Sequence, residues 1–128
     1  MKLVWAPLIL ILVGCFEAPA HAAPQNSQVG LASYYRHNGR TASGERLNSQ
    51  GFTAAHRSLA FGTRVRVTNL KTRKSVVVRI NDRGPFVHGR IIDLAFGAAE
   101  VIGLDRSGIA RVEIVILPEA GILTRAEF

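Results

Sequence analysis

Cysteine is almost absent from this sequence of 128 residues, and its single copy, Cys15, lies near the N-terminus. One thiol cannot form an internal disulfide, so a disulfide framework is excluded. The chain after residue 22 also lacks a thiol nucleophile and the ligands of a cysteine-type zinc site. The folded part must therefore be stabilised by burial of apolar surface alone, which one domain of roughly 100 residues can achieve.

Apolar runs long enough to cross a bilayer are also missing. The uncharged apolar run at 3–13 is too short for a transmembrane helix, and with Lys2 before it the run has the layout of an export signal. Two cleavage sites are open. The sequence L-V-G-C at 12–15 has the pattern of a lipoprotein box, which would make Cys15 a lipidated N-terminus. The sequence A-H-A at 20–22 would instead release a soluble protein.

These signals divide the chain into four predicted segments. Residues 1–22 form a signal peptide of one of the two types, and 23–29 form a short polar linker. Residues 30–118 form one folded domain, and 119–128 form a C-terminal tail. We expect an exported protein of the periplasm, either free or held to the outer membrane by lipid on Cys15.

Acidic residues are scarce relative to basic ones. Nine Asp and Glu face 16 Lys and Arg, which gives a formal charge of +7. Loss of Lys2 and Glu17 with the leader leaves that charge unchanged. A basic domain can bind nucleic acid, an anionic membrane or an acidic polymer. Export argues against nucleic acid and favours a polyanion of the cell envelope, such as peptidoglycan with its stem-peptide carboxylates.

What the sequence does contain is a pattern of strands. Residues 63–70 alternate apolar and polar side chains, and 75–81 return after a basic turn, which predicts a hairpin. The continuous run of three valines at 76–78 indicates burial on both faces, as in a closed barrel. Further strands are predicted at 29–35, 52–56, 89–93 and 109–117, and a helix at 94–102 with Asp93 as its candidate N-cap. The fold class is therefore mainly β, a small barrel with one helix.

Reactive side chains are few in the predicted domain. No G-x-S-x-G elbow supports a serine nucleophile. The four histidines show no metal-ligand spacing, so no metal and no other cofactor is expected. They are His21, His37, His56 and His88. Five carboxylates beyond the leader are expected to be solvated charges or a turn residue: Glu100, Glu113, Glu119, Glu127 and Asp105.

Three carboxylates remain, each at the end of an element beside a glycine or a polar loop, where sites are often built. Glu45 is either an ordinary loop charge or part of a site. Asp93 is either a helix cap or part of a site. Asp82 either fixes its turn as Asx residues do, pairs with Arg83 or Arg79, or takes part in a reaction.

Carboxylates in a cleft, a nearby histidine and no nucleophile or metal suit cleavage of a glycosidic bond by acid–base chemistry. This reaction needs a carboxylic acid that holds its proton near neutral pH, which requires partial desolvation. Asp82 ends a buried strand and is the natural candidate, although Arg83 would oppose protonation if it pointed at Asp82. His56, at the end of an apolar strand, is more often a structural histidine than a catalyst.

Four motifs, in this order and spacing, resemble the rare lipoprotein A (RlpA) family. They are T-A-S-G-E at 41–45, T-A-A-H-R-S-L at 53–59, G-T-R-V-R-V-T-N-L at 62–70 and R-I-N-D-R-G-P-F-x-x-G-R-I-I-D-L-A at 79–95. None would be convincing alone, but together they are highly specific. The similarity runs from about residue 30 to residue 117, which is nearly all of the predicted domain.

The resemblance implies a six-stranded double-psi β-barrel with one or two short helices. It also implies an endolytic lytic transglycosylase, which cuts the β-1,4 bond between N-acetylmuramic acid and N-acetylglucosamine in peptidoglycan. In such enzymes the muramyl 6-hydroxyl attacks in place of water and a 1,6-anhydro end results. One carboxyl can then act first as an acid and afterwards as a base.

Carried over by position, the functional residues of the family fall on Glu45, His56 and Asp82. Asp93 joins them, because expansins and the membrane-bound lytic transglycosylase A group place a key aspartate at a similar strand end. We expect Asp82 to be the acid and base. Glu45 and Asp93 are expected to be electrostatic or positioning groups, with His56 as a hydrogen-bonding support. The candidates for glycan contact are Tyr34, Tyr35, Arg83 and Phe86.

The sequence also departs from the pattern of that family. No C-terminal SPOR domain, which many members carry, is expected here. The loop after Tyr35 is short, with Arg36, His37 and Asn38 where members often have a glycine and an aromatic–histidine pair. Two other functions stay open: a non-catalytic wall-binding or wall-loosening module like expansins, and a hydrolase like endoglucanases. The expected partner is the glycan strand of peptidoglycan, no nucleic acid is expected, and the protein is expected to be a monomer.

Overall fold

The computed structural model describes residues 26–36 and 39–118, together with Gly14. The predictions of a signal peptide, of lipid on Cys15 and of a C-terminal tail fall outside these residues. No helix within the described ranges is long and apolar enough to cross a membrane. Within the same ranges, no three His, Cys, Asp or Glu side chains are grouped so that they could hold a metal ion.

The described chain forms six strands and two short helices. They are β1 (Ser27–Tyr35), β2 (Thr53–Ala55), β3 (Arg64–Asn69), β4 (Ser75–Asp82), β5 (Arg90–Ala95), α1 (Phe96–Val101), α2 (Leu104–Ser107) and β6 (Ala110–Ile116). The strands close into a barrel in the order β1-β5-β2-β4-β3-β6. The structure confirms the prediction of a mainly β fold built as a closed barrel. Residues 27–29, expected in the linker, lie in β1.

The hairpin of β3 and β4 follows directly from the alternating sequence. The two strands pair antiparallel, and their inward side chains are buried valines. These are Val65, Val67, Val76 and Val78. Val77 lies between two of them and is only partly buried, so the run of valines is not enclosed on both faces as predicted. The barrel closes because β6 pairs with both β1 and β3.

The interior of the barrel is filled by aliphatic side chains from all six strands and both helices. The largest fully buried apolar side chains are Ile80, Ile92, Leu94, Ile102, Leu104 and Ile114. Burial of one such side chain contributes about 1.5–3 kcal/mol. Because this core comes from every element, the outer face of the sheet is left free to carry polar side chains.

The first helix begins later than the sequence predicts. α1 starts at Phe96 with Ala95 as its N-cap residue, and no side chain caps it. The interpretation of Asp93 as the helix cap is therefore wrong. Leu94 and Ala95 instead continue β5 and pair with the end of β1, so Asp93 is a strand residue. Asp105, expected in a turn, lies in α2.

Gly97 in α1 contacts the segment that leads into β2. Its backbone N–H donates a hydrogen bond to the carbonyl of Ser49 at 2.8 Å. A Cβ atom at this position would lie 2.5 Å from the carbonyl oxygen of Gln50, a distance that real Cβ atoms essentially never show. The close approach of the two backbones therefore requires glycine at position 97.

Candidate active site

Two aspartates lie in one row across the barrel. Ala55 of β2 pairs with Asp93 of β5 on one side and with Asp82 of β4 on the other. Ser33 of β1 pairs with Asp93 and extends the row. Neighbouring strands are about 4.8 Å apart, so the Cα atoms of the two aspartates are separated by roughly 10 Å. We call these four residues the aspartate row.

A β-bulge turns each aspartate toward the outer face of the barrel. The extra residue is Asn81 in β4 and Ile91 in β5, because the register with the neighbouring parallel strand shifts there. Residues three apart in a regular strand face opposite sides. With the bulge, the arginine and the aspartate of each tetrapeptide face the same side. The two tetrapeptides are R-I-N-D at 79–82 and R-I-I-D at 90–93.

The carboxyl group of Asp82 is held through one oxygen only. Its Oδ1 accepts hydrogen bonds from the backbone N–H groups of Ala42 and Arg83, each at 2.8 Å. Its Oδ2 accepts none from the described residues, and no described cation forms an ion pair with it. The backbone bonds fix the orientation of the side chain, and the second oxygen is left for a ligand.

Three of the sequence motifs meet at the end of β4. The backbone N–H of Ser43 donates to the carbonyl of Asn81 at 3.2 Å, which fixes the T-A-S-G-E loop beside the strand. The N–H of His56 donates to the carbonyl of Asp82 at 3.1 Å, which fixes the T-A-A-H segment. Backbone hydrogen bonds to two consecutive residues of β4 therefore bring the three motifs together in the fold.

Asp93 is held by side chains rather than by backbone. Its Oδ1 accepts a hydrogen bond from the hydroxyl of Ser33 and forms an ion pair with the guanidinium of Arg90 at 3.3 Å. Arg90 also donates to the oxygen of Ser33. The three side chains form a closed network, so Asp93 differs from Asp82 in having a cation as its partner.

Glu45 forms an ion pair with Arg79, and both contacts between their side chains measure 2.9 Å. Hydrogen bonds from Arg79, and next from the amide of Asn81, lower the pKa of Glu45. Glu45 is therefore a carboxylate at neutral pH. This state suits an electrostatic or positioning role and does not suit a proton donor.

Asn81, the bulge residue of β4, is only 2% exposed. A carboxylate only accepts hydrogen bonds, so the Asn81 nitrogen must be the donor toward Glu45. The side-chain oxygen of Asn81 is buried and has no partner among the described residues. Asn81 thus supports Glu45 through its side-chain nitrogen, and its oxygen has no described donor.

His56 is buried beneath the turn that follows β2. Its Nδ1 accepts the backbone N–H groups of Ser58 and Leu59, both at 3.1 Å. With Nδ1 as the acceptor, Nε2 carries the proton and donates to the side-chain oxygen of Gln28 at 3.2 Å. Burial, followed by the charges of two nearby arginines, lowers the pKa of His56. The ring is therefore neutral and supports the turn, and none of its hydrogen bonds in the described structure reaches a carboxylate.

Tyr35 lies close to the aspartate row. Burial is the main reason that its pKa is raised, and the charges of Asp82 and Asp93 raise it further. Its hydroxyl oxygen lies 3.5 Å from the hydroxyl oxygen of Thr53. The phenol keeps its proton at neutral pH and can donate a hydrogen bond beside the aspartates.

The other predicted glycan contacts are placed differently. Tyr34 packs against Phe96, with 5.4 Å between ring centroids, and its hydroxyl donates to a backbone carbonyl of α2. The guanidinium of Arg83 points away from Asp82. It donates to two carbonyls of the turn after β2 and lies 4.0 Å from the centre of the Phe61 ring. Phe86 is 81% exposed and is the one of these three that is free to contact a ligand.

A shallow depression of about 270 Å³ opens beside Glu45. Arg79 and Asn81 border it on the β4 side, and Phe52 and Thr53 border it where β2 begins. Phe52 is about half exposed, so its ring offers an apolar face to a sugar.

Sequence reasoning missed the side chains that hold the carboxylates. These are Ser33, Arg79, Asn81 and Arg90. A signal for two of them was present, because the tetrapeptide R-I-x-D occurs twice, at 79–82 and 90–93. The two copies lie in β4 and β5, which are the bulged strands of the two parallel pairs.

Residues 27–114 match the lytic transglycolase family. A probable endolytic peptidoglycan transglycosylase RlpA of a Nostoc species is 60% identical over 93 residues, which is 69% of this chain and 25% of the relative. A probable enzyme of the same name from a Synechocystis species is 51% identical over 115 residues, 88% of this chain and 35% of the relative. The endolytic peptidoglycan transglycosylase RlpA of Pseudomonas aeruginosa is 48% identical over 99 residues, 75% of this chain and 29% of the relative. The chain thus spans about a quarter to a third of these relatives.

Solved structures share the fold. An expansin of Clavibacter michiganensis in complex with cellohexaose superposes with a TM-score of 0.61 at 20% identity, over 73% of this chain and 51% of the expansin chain. The Streptomyces papain inhibitor superposes with a TM-score of 0.59 at 20% identity, over 73% of this chain and 96% of the inhibitor. At this identity the likeness concerns the fold alone, and it agrees with the predicted double-psi β-barrel. Because residues 27–114 match the family model, the chain belongs to the lytic transglycolase family, as the sequence motifs predict.

Proposed function

We propose that this chain is an endolytic lytic transglycosylase that cleaves the β-1,4 bond between N-acetylmuramic acid and N-acetylglucosamine in peptidoglycan. The observation that carries the proposal is the carboxyl group of Asp82. One oxygen is fixed by two backbone N–H groups, the other has no partner among the described residues, and no cation of the described ranges forms an ion pair with the group. A carboxyl group in that state can deliver and take back a proton at a fixed position.

In the proposed reaction, Asp82 gives its proton to the glycosidic oxygen as the bond to C1 of the muramyl residue breaks. The muramyl 6-hydroxyl then bonds to C1, and its proton passes to the Asp82 carboxylate. The products are a 1,6-anhydro end and a new 4-hydroxyl, and Asp82 regains its starting state. Water is not consumed, so a second carboxylate to activate it is not required.

Asp82 is a better proton donor than Asp93 for a geometric reason. Asp93 is bound to the guanidinium of Arg90 and to the hydroxyl of Ser33. Asp93 thus has a cation as a partner, whereas Asp82 is bound by neutral backbone N–H groups. We therefore assign Asp93 a positioning or electrostatic role in the aspartate row, where its negative charge favours the positive charge that develops at the muramyl C1.

Glu45 and Tyr35 serve the same reaction without carrying the proton. Glu45 remains a carboxylate on Arg79 and accepts hydroxyl or amide hydrogens of the glycan. Tyr35 keeps its phenolic proton and donates to the substrate beside Asp82. The exposed rings of Phe86 and Phe52 offer apolar surface to the sugars. His56 supports the turn after β2 and acts on the site only through the backbone.

The substrate implies a location outside the cytoplasm. We propose that the domain is exported to the periplasm, acts there as a monomer and binds glycan strands. A lipid on Cys15, if the lipoprotein-type signal is used, would hold it to the outer membrane. If the lipoprotein-type signal is used, globomycin, which blocks lipoprotein signal processing, would cause the precursor to accumulate. If the ordinary signal is used, globomycin would not affect processing.

The test is to incubate the purified chain with intact and with peptide-stripped glycan strands and to weigh the products. Anhydro ends that disappear in Asp82→Asn support the proposal, with Glu113→Gln in β6, outside the proposed site, as a control that keeps activity. Reducing ends would assign a hydrolase instead. Binding to glycan without any product would assign a non-catalytic module like expansins. Activity that survives Asp82→Asn but not Asp93→Asn would exchange the two roles.

A further inference from the structure

A second depression, of about 870 Å³, lies at the end of β4 opposite to Asp82. It is bordered by the turn between β3 and β4, by the α1–α2 junction, by α2 and by the start of β6. β4 runs from Ser75, next to this turn, to Asp82. Seven residue steps of about 3.3 Å place the depression roughly 23 Å from the candidate acid. It is therefore separate from the aspartate row.

Positive charge dominates the lining of this depression. Its charged side chains are Lys71, Lys74, Arg106 and Arg111 against Glu100 and Asp105. All four basic residues are exposed, and none of them forms an ion pair or a side-chain hydrogen bond with a described residue. Four cations from three different elements are thus available to a ligand.

The backbone that carries the two lysines is rigidly held. Asn69 is 2% exposed and donates from its side-chain nitrogen to the carbonyl of Ile102 at 2.9 Å. Its oxygen accepts the backbone N–H of Lys71 at 2.9 Å. The hydroxyl of Thr72 also donates to the carbonyl of Ile102, at 2.9 Å. The turn is therefore fixed to the end of α1 before any ligand binds, which reduces the entropy cost of binding.

We propose that this depression binds peptides that carry several carboxylates and an amine, namely the stem peptides of peptidoglycan; the choice of peptidoglycan rests on the proposed function. Four cations fit the carboxylates, and Glu100 and Asp105 fit an amine. Ile109, which is about half exposed at the rim, fits the methyl groups of alanine residues.

Two other polyanions fit less well. The two acidic residues in the lining oppose a uniformly negative nucleic-acid backbone. None of the described lining residues is aromatic, so they offer no ring on which bases or sugars could stack. A membrane presents a broad plane of headgroups, whereas these cations surround a concave space. Through this site the domain holds a peptide-bearing part of the wall while the aspartate row acts on a strand about 23 Å away.

The test is co-sedimentation of the purified chain with isolated peptidoglycan sacculi at low salt. One sample carries its stem peptides, and in the other an amidase has removed them. We expect the double variant Lys74→Gln, Arg106→Gln to bind the peptide-bearing sacculi about fivefold more weakly, since two exposed ion pairs are lost. The matched control, Arg64→Gln with Arg66→Gln on β3, removes the same charge elsewhere and is expected to bind as the parent chain does.

Equal loss of binding in the control pair would mean that only net charge matters and would overturn the proposal. Equal loss on stripped sacculi, or a loss seen instead on phosphatidylglycerol vesicles or duplex DNA, would also overturn it. Asp82→Asn is included in the same assay, and we expect it to sediment normally. If no variant and no substrate yields anhydro ends, the proposed reaction fails, while sedimentation still reports on the peptide site by itself.

Discussion

The two parallel strand pairs of the barrel share one local arrangement and differ in the ion pair that its arginine forms. In each pair an R-I-x-D tetrapeptide, a bulge and a neighbouring alanine bring one arginine and one aspartate to the outer face. In the β1–β5 pair, Arg90 binds its own aspartate, Asp93. In the β2–β4 pair, Arg79 binds Glu45 instead, and the described donors to Asp82 are both backbone N–H groups.

The difference comes from one loop. The segment at 39–47 lies against the end of β4 and brings Glu45 to Arg79, while its backbone supplies an N–H group to Asp82. No comparable loop competes for Arg90 in the described structure, so that arginine stays with Asp93. We infer that Glu45 acts on Asp82 indirectly, because Arg79 is not available to pair with Asp82 while it is paired with Glu45.

The largest expected effect is on activity, and it distinguishes the roles of the two aspartates. Asp82→Asn removes the proposed proton donor and keeps a side-chain oxygen for the two N–H donors, so the rate of anhydro-end formation should fall about 100-fold to 10,000-fold. Asp93→Asn removes a charge but no proton donor and should cost less. The measurement is the initial rate on peptide-stripped strands. Equal losses of rate in both variants would contradict the assignment of different roles to Asp82 and Asp93.

A double substitution tests whether Glu45 acts by holding Arg79. Glu45→Gln releases the guanidinium, which can then pair with Asp82 as Arg90 pairs with Asp93, and activity should fall roughly tenfold or more. Adding Arg79→Gln to that variant removes the competing cation and should restore part of the rate. The initial rates of the two single variants and the double variant form a cycle. A double variant no faster than Glu45→Gln would contradict this role.

The two strand pairs also differ in the residue next to the aspartate row. Tyr34 follows Ser33 in β1, and His56 follows Ala55 at the end of β2. His56→Ala leaves the N–H groups of Ser58 and Leu59 without an acceptor and should lower the free energy of unfolding by about 1–2 kcal/mol. His56→Asn keeps an acceptor at the same branch of the side chain and should lose less. Urea unfolding curves measure both. A stable His56→Ala with low activity would point to a catalytic role for the ring.

The smallest expected effect is a dependence of stability on pH. The pKa of His56 in the folded chain is lowered from its ordinary value of 6.5, so the unfolded chain binds more protons just below pH 6.5. Stability should therefore decrease as the pH falls through this window. The melting temperature, compared at pH 7.5 and pH 5.5, should change less in His56→Asn than in the parent. The lowered pKa of Glu45 adds a second loss only below its ordinary value of 4.5.

Local patterns were enough to predict most of the strands, whereas the double-psi barrel was implied by the family resemblance. The alternation around Val65 and Val67 predicts β3, and the basic turn after it predicts the hairpin, since both signals lie within a few residues. The interpretation failed where long-range pairing decided the structure. Leu94 has helical spacing in the sequence, but pairing with β1 keeps it in β5. The end of a strand depends on its partner, which no local pattern identifies.

The sequence predicted the acidic residues of the candidate site but not the side chains that bind them. Glu45, Asp82 and Asp93 stand out because carboxylates are scarce and lie beside loops. Arg90 and Ser33 are common residue types, and only a bulge and a parallel pairing bring them to Asp93. A bulge adds one residue to a strand without changing its composition, so the sequence gives little warning of which side chains will face each other.

The contact at Gly97 links α1 to the segment that leads into β2. The segment held there, around Gln50, joins the loop of Glu45 to the strand of Thr53, so it anchors both sides of the shallow depression. A methyl group at position 97 would push this segment outward and move the two sides together. Gly97→Ala should therefore change the width of this depression and, with it, the range of glycans that fit beside Glu45.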